Sequence, residues 1–74
     1  GERMTNTDLF RKRVEEIGVT YTALALKIGI TREALYRKIN NETEFKASEI
    51  TTCTNILQLS NVERDKIFFD TKLN

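Results

Sequence analysis

The chain has no proline, no tryptophan and no histidine, and only one cysteine, one methionine and three glycines among its 74 residues. Each absence narrows the field. Without histidine, and with Cys53 alone, there is no zinc-ligand set and no intramolecular disulfide, so no metal is expected and a reducing cytoplasm is the expected compartment. Without histidine, a glycine-rich phosphate loop or a carboxylate pair set apart from surface charge, the sequence offers no catalytic apparatus, and neither a cofactor nor a small-molecule ligand is expected. No apolar run approaches the roughly 20 residues needed to cross a bilayer, and the N-terminal stretch lacks the apolar core of a secretory signal. No membrane partner is expected.

What remains is a composition of 39% hydrophobic and 31% charged residues, which, with proline absent, favours an all-α fold in one small domain. Gly1, Glu2 and Arg3 precede the sole methionine, Met4, so the domain is predicted to cover residues 4–74 with those three outside it. The net charge of +1 is unevenly spread: residues 1–40 hold eight basic and five acidic side chains, whereas residues 41–74 hold four and six. The N-terminal half is the basic one, although ordinary solvated charge would account for so small a bias.

Helical periodicity and cap residues divide the chain into five segments. The first helix is predicted over 8–17, capped by Thr5 or Thr7, with Phe10, Val14 and Ile17 inward and Gly18 as its stop. The second and third are predicted over 21–28 and 32–39. A polar loop over 40–46 carries Phe45, read as a hydrophobic staple for the fourth helix, which is predicted over 47–57 with Ala47, Ile50, Cys53 and Leu57 on one stripe. Glu49 falls in its first turn, where negative charge suits the helix dipole. Ser60 and Glu63 make a capping box that opens the fifth helix at Asn61, and the tail from Thr71 onward has only Leu73 to anchor it. Cys53 reads as a small buried hydrophobe on the inner stripe of helix four.

The stretch TYTALALKIGITREALYRKINN, from Thr20 to Asn41, is the most informative. Thr20 caps a helix whose inward positions are Leu24, Ala25 and Ile28, and Gly29 stops it in the left-handed conformation. Ile30 plugs the turn and Thr31 caps the next helix, whose inner face carries Leu35 and Ile39. At about 100° per residue, Arg32, Glu33, Tyr36, Arg37 and Asn40 gather on the opposite face, as a helix free to enter a DNA major groove requires. Ala25 is small where the two helices cross.

With LALKIGI followed by TREALYRKIN, then EFKASEI and NVERDKIFF, the chain from Phe10 to Phe69 resembles the small phage-type Cro and C1 regulators, whose structural positions Ala25, Gly29, Leu35 and Ile39 match. The resemblance implies a compact five-helix, lambda-repressor-like domain that binds operator DNA as a transcription regulator and represses by occlusion. Three positions depart from the family pattern. Asn41 and Glu42 replace the usual glycine and lysine after Asn40, removing a phosphate-binding lysine; Leu26 replaces a polar residue; and Tyr21 stands where glutamine is common. Asn41 tolerates the left-handed turn, so Asn41→Gly is expected to be neutral or stabilising.

On this reading Arg32 and Arg37 present guanidinium forks to guanine. Glu33 accepts from cytosine or instead pairs with Arg37 at i, i+4, and Tyr36 contacts a thymine methyl or a phosphate, or only orders Arg32. Phosphate contacts are assigned to Thr20, Tyr21, Thr22, Thr31, Lys38 and Asn40, with Lys27 a further candidate. A homodimer is expected through helix five, where Val62, Ile67, Phe68, Phe69 and Leu73 exceed one face and leave Phe68 or Phe69 for the partner. The competing reading is a protein-interaction module, such as an antitoxin or anti-repressor, favoured by Glu42, Glu44 and the apolar Leu26.

Overall fold

The computed structural model describes residues 4–70, which form five helices in the order α1 (Thr7–Ile17), α2 (Tyr21–Ile28), α3 (Arg32–Ile39), α4 (Ala47–Ile56) and α5 (Asn61–Phe68). The all-α reading holds. The predicted bounds of the second and third helices are met, and the first and fourth shift by one residue each. Leu73 and residues 1–3 lie outside the described residues.

Local chemistry sets the helix ends. α1 is capped by Asn6, whose Oδ1 accepts from the Leu9 N–H at 3.1 Å, and not by Thr5 or Thr7. Both threonines are engaged elsewhere: Thr7 is already helical and donates its hydroxyl to the Ile39 carbonyl at 2.7 Å, while Thr5 is buried. α4 stops at Ile56 because Gln58 takes a left-handed φ of 54°, letting the Gln58 and Leu59 N–H groups close onto the Asn55 and Thr54 carbonyls. That double closure satisfies carbonyls a helix otherwise leaves open. Arg13 reinforces the same end, donating to the Leu57 and Gln58 carbonyls at 2.8 and 3.0 Å. Within α4 the hydroxyls of Thr51, Thr52 and Thr54 each donate to the carbonyl four residues back, so poor helix formers are held without stray polar groups. The capping box at the start of α5 forms as expected.

The core is built on Phe10, Leu24, Leu35, Ile39, Cys53 and Leu57, all fully buried. α2 packs on both α3 and α4, and α1 on α5. Three of the four phenylalanines meet at the centre: Phe10 stacks on Phe45 at 5.8 Å, and Phe68 stands edge-on to both at 5.8 and 5.2 Å. Such pairs contribute about 0.5–1.5 kcal/mol each beyond their burial. Phe68 is therefore core, 3% exposed, and is withdrawn as a dimer contact. A chain with so few aromatic rings closes its interior with every large one in reach. Ala47 is also corrected: it sits exposed at the first turn of α4, beyond the edge of the core stripe that Ile50, Cys53 and Leu57 continue. The two ends of the described chain are tied together, Met4 and Asp70 exchanging backbone hydrogen bonds at 3.1 Å and Asn6 donating to the Ile67 carbonyl at 2.7 Å.

Candidate nucleic-acid interface

The turn between α2 and α3 is fixed by Gly29, at φ 89° and ψ 29°. From there its N–H reaches the Leu26 carbonyl at 3.2 Å and the Ile30 N–H reaches the Ala25 carbonyl at 3.0 Å. Ala25, only 2% exposed, leaves room for the next helix to lie close, and Ile30 folds beneath the turn onto the core. The chain re-enters helix at once because the Thr31 hydroxyl accepts from the Ala34 N–H at 3.0 Å; Thr20 caps α2 in the same way through Ala23. This is a helix–turn–helix unit with both starts capped and its joint locked by backbone geometry.

Burying Leu35 and Ile39 turns the opposite face of α3 outward, so Arg32, Glu33, Tyr36, Arg37 and Asn40 are all exposed. Among the described residues the side chains of Arg32, Glu33 and Arg37 make no hydrogen bond or ion pair, so no Glu33–Arg37 bridge forms. Their donors and acceptors face solvent. Tyr36 packs on Tyr21, ring centroids 5.4 Å apart and tilted by 40°, rather than lying over Arg32. Burial pushes the Tyr21 hydroxyl upward in pKa; the charge of Arg11 opposes this, and Tyr36 and Glu15 add to it. The hydroxyl remains a neutral donor.

The predicted phosphate residues divide. Thr20, Thr22, Thr31, Asn40 and Lys27 are exposed around the helix ends, and Tyr21 is half-buried. The capping threonines accept through oxygen and keep a hydroxyl proton to donate. Lys38 is different. Its Nζ lies 3.0 Å from Glu49 Oε1, donates to the Glu44 carbonyl at 3.0 Å and sits 6.0 Å from the centre of the Phe45 ring, with its side chain 11% exposed. It is a structural lysine and is withdrawn as a phosphate contact. Glu49 explains the loss: burial alone would raise its pKa, but the Lys46 N–H at 2.7 Å and the Lys38 ammonium outweigh that and hold the carboxyl below its usual range.

Two residues absent from the sequence assignment lie at this surface. Arg11 of α1 reaches across to Asn40, its Nη2 3.4 Å from Oδ1. Asn41 takes the left-handed φ of 66° that ends α3, and its carboxamide accepts from the Thr5 N–H at 2.8 Å and donates to the Thr5 carbonyl at 3.0 Å. No sequence spacing links either pair, since each joins residues 29 or more positions apart. Burial pushes the Cys53 thiol up to about 12, as suits an inert core residue, and no group of potential metal ligands occurs among the described residues.

Comparison of the chain with protein-family models, with curated proteins and with solved structures finds no match.

Proposed function

We propose that the chain is a sequence-specific regulator that binds double-stranded DNA and acts by occluding an operator, in the manner of the Cro and C1 proteins it resembles. The observation that carries this reading is the α3 face: Arg32, Glu33, Tyr36 and Arg37 are exposed together, while the helix beneath them is capped, buried through Leu35 and Ile39, and locked to α2 at Gly29. Unpaired hydrogen-bonding groups on a rigid helix are what base reading in a major groove needs. The reading is of a binding protein and not an enzyme, working in a reducing cytoplasm without metal, cofactor or small-molecule effector. A single short helix reads few bases, so the active form is taken to be a homodimer on a two-fold symmetric site.

Selection of bound sequences from random duplex DNA tests it, with Arg32→Ala and Arg37→Ala measured on selected and random duplexes. Each variant should lose about 1–3 kcal/mol of discrimination while keeping its affinity for random DNA. Equal losses on both would make that arginine a backbone contact. A protein-interaction module is the second reading, favoured by Leu26, which is 79% exposed on the outer surface of α2. Salt separates the two, because phosphate neutralisation makes DNA affinity fall by orders of magnitude as salt rises.

A further inference from the structure

With Lys38 paired to Glu49 and no lysine following Asn40, the end of α3 has lost the two cations its sequence context leads one to look for. The structure brings another to the same place. Arg11 is exposed on α1 with its Nη2 3.4 Å from Asn40 Oδ1, at the C-terminal end of α3, and its charge acts on the hydroxyl of Tyr21, the first residue of α2. Two elements that lie far apart in sequence therefore contribute one donor side chain each to a single edge of the α3 face. We propose that Arg11 and Asn40 form a binding site for one backbone phosphate of duplex DNA, with Arg11 supplying the neutralising charge. The proposal rests on the DNA-binding reading above.

The chemistry suits a phosphate. A guanidinium has five N–H groups, and only one is spent on Asn40; accepting through Oδ1 leaves the Asn40 amide both its donors. The cluster lies at helix ends rather than along the α3 stripe, so it positions the domain without reading bases. Lys12, although adjacent in sequence, faces a groove lined by Leu9, Glu16 and Lys66 on another side of α1 and takes no part.

The experiment is the salt dependence of affinity for a duplex obtained by selection. Arg11→Gln should weaken selected and random duplexes alike and reduce the slope of log K against log salt by about 0.9, the value of one phosphate. Arg11→Lys should restore the slope, and Lys12→Gln, which removes the same charge from the other side, should leave it at the wild-type value. Neutral methylphosphonates introduced one at a time should find a position that costs the wild type affinity and is silent in Arg11→Gln. An unchanged slope in Arg11→Gln, an equal reduction in Lys12→Gln, or no such silent position would overturn the proposal while leaving DNA binding intact. A wild-type protein that binds no duplex would overturn the DNA reading itself, and is seen before any variant is made.

Discussion

The ammonium of Lys38 and the amide N–H of Lys46 converge on one carboxylate oxygen of Glu49, at 3.0 and 2.7 Å. The contact pins the end of α3 to the start of α4. Removing the lysine as Lys38→Met leaves a buried carboxylate with a single donor, which should cost about 1–3 kcal/mol. Glu49 has a lowered pKa when folded, so its stabilising contribution is present above the ordinary glutamate value of about 4.3 and is lost as pH falls through the folded value. Melting curves should show the gap between wild type and Lys38→Met widest near neutrality and closing as pH falls through the lowered folded value of Glu49. A gap independent of pH would mean that the lysine acts through packing alone. On DNA, the salt slope of Lys38→Met should match the wild type.

Asn41→Gly should destabilise the protein, contrary to what the turn alone suggests. Glycine relieves the left-handed strain but gives up two hydrogen bonds to Thr5, each contributing about 0.5–1.5 kcal/mol, so a net loss near 1 kcal/mol is expected. Gln58 is the control. It holds a φ of 54°, and only its backbone is used, the N–H by Asn55 and the carbonyl by Arg13, so Gln58→Gly should gain about 0.5–1 kcal/mol. Denaturant titration of the two variants should shift the midpoint in opposite directions.

These two positions show where sequence legibility stopped. Gly18, Gly29, Thr20, Thr31 and the Ser60–Glu63 box work within a window of three or four residues, and the helices they bound fall where expected. The α3 stripe was legible because burying Leu35 and Ile39 leaves only one way to turn the helix. Asn6 was hidden by two neighbouring threonines that are equally good caps until tertiary contacts engage them. The roles of Lys38, Arg11 and Asn41 depend on partners brought near by packing, which no local pattern encodes.

Gly29 should be sensitive to φ and not to volume. A Cβ built there meets nothing within 4 Å, so substitution is penalised only by the left-handed backbone. Gly29→Asn should be the mildest change, Gly29→Ala should cost about 1 kcal/mol, and Gly29→Val more, because β-branching makes positive φ an outlier. Thermal unfolding of the series should follow that order. An unchanged melting temperature in Gly29→Val would contradict the left-handed joint between α2 and α3.

Cys53 should be unreactive while the protein is folded. Its thiol is fully buried and raised to about 12, so essentially no thiolate is present at neutral pH. A thiol reagent should label it only at the rate of unfolding and quantitatively in denaturant. Fast labelling of the native protein would show that α4 opens locally.

Moving Phe68 into the core changes how dimerisation is tested. Phe68→Ala should cost about 3–5 kcal/mol, since the ring fills the angle between Phe10 and Phe45, and such a loss would disrupt any assembly without revealing an interface. The exposed surface of α5 carries Val62, 64% exposed, whereas Phe69 at its end is half-buried against the core. Val62→Glu places a charge on that surface at little cost to the monomer, because an exposed position offers no cavity to lose. Sedimentation of the protein on a palindromic selected duplex should give two chains per duplex for the wild type and one for Val62→Glu at the same concentration, with the melting temperature of the free monomer unchanged. A wild-type complex of one chain, or a Val62→Glu complex still of two, would place the partner surface elsewhere than on α5.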